Sequence, residues 1–407
     1  MYVSLHENLA QTDEGKEAQS IISACVHCGF CLATCPTYID SGDERDSPRG
    51  RIYLIKQLLE TDQASSQTQL HLDRCLTCRS CETTCPSGVR YGRLLDVGRG
   101  LVEQKVPRPL LERSLRSTLR TVLSRPRWFA TLLKLGQSVR PVLPANLQSK
   151  IPEPTSNNLD VVDDKAQPHS RTMLVLDGCV TASATPKTNA AARKVLGQLG
   201  INLTPIERAG CCGAVNHHLG AHTDALKDMR RNIDAWWPAI EAGAEAVIST
   251  ASGCGAMLVD YGELLAKDAH YAEKARHISA LCRDISEVLL NEDLSHLTPN
   301  TDVGKVAVHT PCTLQHALKL PEAVPTILAR AGFDLAVTTE KHLCCGSAGT
   351  YSILQPEISQ RLLKNKRSAL NIDQPDIIAT ANVGCQLQLG GEEETPVVHW
   401  IELLAAG

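Results

Sequence analysis

CVHCGFCLATCP at residues 25–36 and CLTCRSCETTCP at residues 75–86 decide how this chain is read. Both follow the spacing C-x2-C-x2-C-x3-C-P, and the second run repeats the first 50 residues later. Three thiolates two residues apart can wrap one iron–sulfur cubane from a single tight loop, and the fourth points away to complete a neighbouring one. The expected ligand sets are therefore Cys25, Cys28, Cys31 and Cys85 for one [4Fe–4S] cluster, and Cys75, Cys78, Cys81 and Cys35 for the other. Gly29 removes a side chain inside the first loop, which would let the backbone approach a cluster closely. Soft thiolates also suit zinc, but zinc motifs usually bring separated CxxC pairs rather than four-membered runs.

The segment between the runs, SPRGRIYLIKQLLE, places Ile52, Ile55, Leu58 and Leu59 on one helical face. A helical rather than β-rich two-cluster domain is expected. Two clusters held by interdigitated ligands make a conductor of single electrons, and by themselves make no catalyst.

The remaining cysteines divide the chain. Of the 17, eight lie in residues 1–100, none in 101–170 and nine in 171–407. Reducing conditions keep cytosolic thiols open, so such spacings read as metal or redox sites rather than a disulfide framework. A polar, acidic N-terminus without the basic and apolar parts of a secretory signal makes the cytoplasm the expected location. No apolar run reaches the ~18 residues of a spanning helix. The net charge of −4 and pI near 6.4 leave no basic field to hold nucleic acid.

Residues 104–152 carry ten Lys or Arg and one acid, Glu112. Leu111, Leu115, Leu119 and Val122 fall at helical spacing, with Arg113, Arg116 and Arg120 on another face. This stretch reads as a helical connector whose arginines are solvated or paired with acids of a partner. With Trp128 and Phe129 beside Arg125 and Arg127, it also has the form of a helix lying on an anionic membrane surface. The polar, proline-containing stretch at 151–170 reads as a linker.

The last part repeats itself. Cys179, Cys211-Cys212 and Cys254 form one set; Cys312, Cys344-Cys345 and Cys385 form another. The second copies of Cys179 and of the pair follow the first by 133 residues, and that of Cys254 by 131. Apolar runs ending in loops alternate with helical stretches in each copy, which argues for parallel α/β sheets with the cysteines past the strands' carboxyl ends. A CCG word twice at matched spacing points to a crowded metal or redox site, and burial alone would not require it. Cys282, within the helical stretch HISALCRDISEVLL, reads as a buried small residue. His217, His218, His309 and His342, taken singly, read as structural or surface residues.

The expected architecture is multidomain α plus α/β. It comprises an α-helical two-cluster ferredoxin domain (1–100), a basic helical connector and linker (101–170), and two Cys-rich α/β repeats with parallel sheets (171–300 and 301–407).

CVHCGFC, SPRGRIYLIKQ, HLDRCLTCRSCETTCPSGVRY, AGCCGA, NIDAWWPAIEAGAEA, TASGCGA, PCTLQHA, HLCCGSAGTY, ANVGCQ and VHWIE together resemble the family of iron–sulfur subunits of bacterial glycolate oxidase, also called glycolate dehydrogenase. The resemblance runs from about residue 20 to residue 400. It implies an iron–sulfur electron-transfer subunit, inactive alone, that joins two FAD-domain subunits. The flavin there oxidises glycolate to glyoxylate, and electrons pass to a membrane acceptor, a quinone. FAD is expected only on the partners, since no Gly-rich dinucleotide fingerprint follows a strand here. A peripheral place on the inner face of the cell membrane follows from such an acceptor.

The C-terminal part also resembles the wider CCG family, which includes the catalytic subunit of heterodisulfide reductase. The pattern there ends in CxxC. Here Cys254 has Ala251 and Met257 three residues away, and Cys385 has Asn382 and Gln388, so each set lacks one thiolate. The thiols are left as a candidate for a further cluster or an acceptor-docking surface. The rival functions are a catalytic reductase of that kind, acting on disulfides or another small substrate, and a zinc-stabilised scaffold.

Overall fold

The computed structural model describes residues 1–142, 148, 151–153, 171–391 and 395–406. The expected linker lies, from residue 154 to residue 170, outside the described residues. The chain forms two compact units. One comprises Met1–Thr118, His217–His222 and His342–Lys366, and the other comprises Leu119–Asn216, Thr223–Lys341 and Arg367–Gly407.

The regular elements of the first unit are helices among the described residues. Thr12 caps the helix Asp13–Ser23 by accepting from Gly15 N. Ser47 caps Pro48–Thr61 by accepting from Gly50 N, with Pro48 in the first turn where its missing N–H costs nothing. Ile52, Ile55, Leu58 and Leu59 are buried on that helix, as their spacing predicts. They pack with Ile21 and Ile22, with Leu72, and with Leu94, Leu95 and Leu101 of the helix Tyr91–Lys105. Each such side chain contributes about 1.5–3 kcal/mol by leaving water.

The basic connector departs from its expected polarity. Leu110–Leu123 is a helix, yet Leu110 and Leu111 are exposed while Arg116 is buried. The cause is Asp73, which accepts from Arg108 Nη1 at 2.7 Å and Arg116 Nη2 at 3.0 Å, while Glu112 accepts from both arginines. A second helix, Pro126–Val139, leaves Trp128, Leu132 and Leu135 exposed. Among the described residues no helix is long and apolar enough to cross a membrane.

The second unit holds two parallel sheets. β1 (Arg171–Val175), β2 (Ile201–Pro205), β3 (Val247–Ser249) and β4 (Cys282–Asp284) are ordered β2-β1-β3-β4. β5 (Val306–His309), β6 (Ile377–Thr380) and β7 (Val397–His399) follow in sequence order. Helices between successive strands supply the crossovers that parallel pairing requires. Side chains alternate between two cores: Met173, Val175 and Ile248 face one, while Leu174 and Val247 face the other. The first core continues through Val306, Ala379 and Trp400, so the two repeats share it.

Cys282 is a correction. The stretch around it breaks into the helices Ala272–Leu281 and Ile285–Asn291, and Cys282 opens β4, paired with Val247. It is 3% exposed, so the expected burial holds although the helix does not. Asp284 ends the strand and caps the next helix at Ser286 N, which restarts the helical period.

Candidate iron–sulfur and thiol sites

The two four-cysteine runs fold alike. His27 and Gly29 in the first, and Thr77 and Arg79 in the second, all have positive φ, between 55° and 84°. These are equivalent positions, so each loop reverses twice in a left-handed conformation that turns its sulfurs inward. Thr77 is β-branched, for which this region is an outlier, and such strain concentrates at functional loops. Arg79 stands where the first run has Gly29, so the conformation itself does not demand glycine.

Two adjacent voids result. Cys25, Cys28, Cys31 and Cys85 line one, and Cys35, Cys75, Cys78 and Cys81 line the other. Pro48, Cys81 and Tyr91 border both. Each run thus sends its fourth sulfur to the void of the other. Thr77 N donates to Cys75 Sγ and Val89 N to Cys85 Sγ, each at 3.5 Å, giving the sulfurs backbone donors. Four soft donors around each enclosed space, with N–H groups aimed at sulfur, suit a thiolate-held iron–sulfur cluster. Burial and neighbouring thiols push Cys31 up to about 11, and also push the Cys81 thiol well above its usual range. Bare thiols packed this closely are poor anions, and a bound cation reverses that preference.

The surroundings of the two voids differ. Cys28 is exposed, and Cys31 and Cys85 are partly so. The second set is buried and lies against a polar network that sequence reading missed. Arg51, 1% exposed, donates through Nε to His71 O at 2.7 Å and through both terminal nitrogens to Thr37 Oγ1 at 3.1 Å. Asp46 accepts from Arg74 Nη1 at 2.9 Å and lies 2.8 Å from His71 Nδ1. Thr37 Oγ1 is 3.4 Å from Cys35 Sγ, and Tyr91 OH donates to Cys75 Sγ at 3.8 Å. Burial opposes the charge on Arg51, but Tyr91, Cys75, Cys35 and Asp46 outweigh it and hold the guanidinium firmly charged. Tyr351, which donates to Arg74 O, is pushed upward chiefly by burial. One signal was legible in advance: Arg51 shares the helical face of Ile55 and Leu58, where a charge needs a reason.

The first CCG set also comes together. Cys179 follows β1, Cys211 and Cys212 follow β2, and Cys254 lies in the first turn of the helix Ser252–Val259 after β3. Cys179 contacts Cys211, which contacts Cys212, which contacts Cys254. Contacts between these sulfurs and burial raise the Cys179 thiol well above its usual range. Gly213 sits at φ 90°, where a Cβ would lie 3.2 Å from Ala225 O, and Gly346 at φ 80°, where one would lie 2.5 Å from Ser359 O. That explains the glycine of both CCG words. Asn232, fully buried, accepts from Gly210 N at 2.9 Å and donates to Cys211 O at 2.9 Å, while Tyr261 OH donates to Cys212 O at 2.8 Å.

The second set is distributed differently. Cys312 and Cys385 follow β5 and β6 in the second unit, while Cys344 and Cys345, both buried, belong to the first. Asn382, standing where a CxxC thiolate would be, donates through Nδ2 to Cys385 Sγ at 3.7 Å.

A family model described as "4Fe-4S dicluster domain" matches residues 21–89, and one described as "Cysteine-rich domain" matches residues 173–259 and 306–390. The chain is 53% identical to the "Glycolate oxidase iron-sulfur subunit" of Escherichia coli (strain K12), an alignment covering 99% of this chain and 98% of that one. It is 32% identical to the "Probable glycolate oxidase iron-sulfur subunit" of Bacillus subtilis (strain 168), over 94% of each. Similarity extends at 27% identity to "Lactate utilization protein A" of Shouchella clausii (strain KSM-K16), over 53% of this chain and 89% of that one.

Proposed function

The chain belongs to the family of glycolate oxidase iron–sulfur subunits, and on that premise we propose that it conducts electrons within a flavin-dependent complex oxidising glycolate to glyoxylate. Two FAD-domain subunits would supply the flavin, and a quinone or other membrane acceptor would receive the electrons. The observation that carries this reading is the pair of sulfur-lined voids sharing a wall of Pro48, Cys81 and Tyr91. Cys25, Cys28, Cys31 and Cys85 would hold one [4Fe–4S] cluster, and Cys75, Cys78, Cys81 and Cys35 the other. When bound, such clusters supply one-electron carriers. The chain's own groups fix the sulfurs in place, keep water from the second set, and set a buried positive charge, Arg51, close to it.

The domain division proposed is 1–100 for the cluster domain, 101–170 for the connector and linker, and 171–300 and 301–407 for the Cys-rich repeats. The exposed row of Trp128, Leu132 and Leu135, flanked by Arg125, Arg127 and Lys134, supports a cytoplasmic complex resting on the inner face of the membrane.

The test is composition and activity of the purified chain. About eight iron and eight sulfide are expected, retained by a chain whose CCG cysteines are replaced, with no glycolate oxidation until flavin-bearing partners are added. Glycolate oxidation by the isolated chain would reject the proposal.

A second reading rests on the linked thiols Cys179, Cys211, Cys212 and Cys254, with Cys312, Cys344, Cys345 and Cys385 as their repeat. These would hold a further cluster or act as a redox site for disulfides or another small substrate. Cys212→Ser and Cys345→Ser decide it: unchanged cluster content and unchanged turnover of the complex would remove this reading.

A further inference from the structure

Asp96, His217 and His218 lie far apart in sequence, yet one ligand-competent atom of each falls within 4.8 Å of the others in the first unit. Asp96 projects from the helix Tyr91–Lys105, and the histidines from the end of the helix Ala214–His218. His217 Nε2 is 3.0 Å from Asp96 Oδ2. Its other nitrogen, Nδ1, is 3.3 Å from His222 Nδ1. Asp96 and His217 are 7% and 6% exposed.

An Asp–His pair by itself accounts for two of these atoms. It leaves Asp96 Oδ1 and His218 Nδ1 buried without a hydrogen-bond partner. Native interiors rarely tolerate such atoms unless something unseen satisfies them. Arg99, one turn further along the helix, is committed elsewhere, donating to Leu72 O, Cys75 O and Thr77 Oγ1.

We propose that Asp96, His217 and His218 form a site for one divalent transition-metal cation, of which zinc is the fitting example. Two imidazoles and a carboxylate are donors of the right softness for it. Bound through Nε2, His217 keeps a proton on Nδ1 and offers it to His222, the outer hydrogen bond that orients such ligands. A site with three protein ligands keeps a fourth position for water. The cation would tie the residue 217–222 segment to the helix Tyr91–Lys105, and it is separate from the eight sulfurs of the two runs.

The test uses the full chain with its clusters, prepared without oxygen, stripped with chelator and dialysed against zinc. Wild type should retain one zinc per chain more than His218→Gln, with iron and sulfide equal in both. Equal zinc in the two proteins overturns the site. Zinc-edge absorption of the loaded wild type is a second measurement, and it needs no variant. A shell of nitrogen and oxygen at about 2.0–2.2 Å supports the assignment, and a shell dominated by sulfur at about 2.3 Å overturns it.

Discussion

Tyr91 OH donates to Cys75 Sγ at 3.8 Å from a buried position, beside a void that Arg51 also lines. A hydrogen bond to a cluster sulfur and a nearby cation both favour the reduced, more negative state. Tyr91→Phe should therefore lower the potential of one of the two centres by roughly 40 mV, the equivalent of about 1 kcal/mol for one electron, leaving the other in place. A redox titration followed by EPR reads this directly. An unchanged pair of potentials would show that the hydroxyl does not act on the cluster.

Arg51 is enclosed with Asp46, His71 and Thr37. Arg51→Ala leaves Asp46 with Arg74 as its remaining arginine and strips His71 O and Thr37 Oγ1 of a buried donor, with an expected loss of about 1–3 kcal/mol. Denaturant unfolding of the cluster-loaded protein measures it. Arg51→Lys should recover only part, because an ammonium cannot reproduce the fork that meets His71 O and Thr37 together.

Cys35→Ser and Cys85→Ser distinguish interlocked runs from self-contained ones. Cys35→Ser should alter the EPR signal of the centre wrapped by the second run, and Cys85→Ser that of the first. Each run altering its own centre would mean that the ligands do not cross.

His399 predicts a pH dependence. Its ring accepts from Ile401 N at Nδ1, and Nε2 lies 2.8 Å from Thr250 O, so both nitrogens are engaged by the neutral form. Burial lowers its pKa to about 4. A base depressed on folding contributes fully above its unfolded value near 6.5, and that contribution is lost as pH falls from there toward 4. Each pH unit in this window costs about 1.4 kcal/mol, so close to 2 kcal/mol is lost from this residue by pH 5. The thermal midpoint should fall more steeply from pH 7 to pH 5 in wild type than in His399→Gln. Parallel curves would exclude the linkage.

The exposed row on Pro126–Val139 predicts membrane-surface binding by the assembled complex. Flotation with anionic vesicles at low salt should carry the complex upward. Trp128→Ser combined with Leu135→Ser should abolish that, and added salt should weaken it. A complex that ignores such vesicles would leave this face to a protein partner.

The sequence was most informative where local geometry alone decides. The helix Pro48–Thr61 followed from periodicity, the strands β1, β3, β5 and β6 from apolar runs ending in loops, and the pairing of the two cysteine runs from their spacing. Residues whose role depends on a distant partner were illegible. Arg116 turned inward because Asp73 waits there, 43 residues earlier in the chain. Asp96 stood out in no motif, and only the fold brings His217 to it. Cys282 shows the same limit, since a three-residue strand between two helices forms only because β3 offers an edge. The histidines after the first CCG word, read singly, carried no signal that they would meet a carboxylate.

Neither cysteine run encloses its void without a sulfur from the other run, at least 40 residues away in sequence. Folding of the two loops and filling of the two spaces are thus one event. A chain starved of iron should be found either complete or empty, and a cut through residues 62–65 that let the halves separate would empty both sites at once.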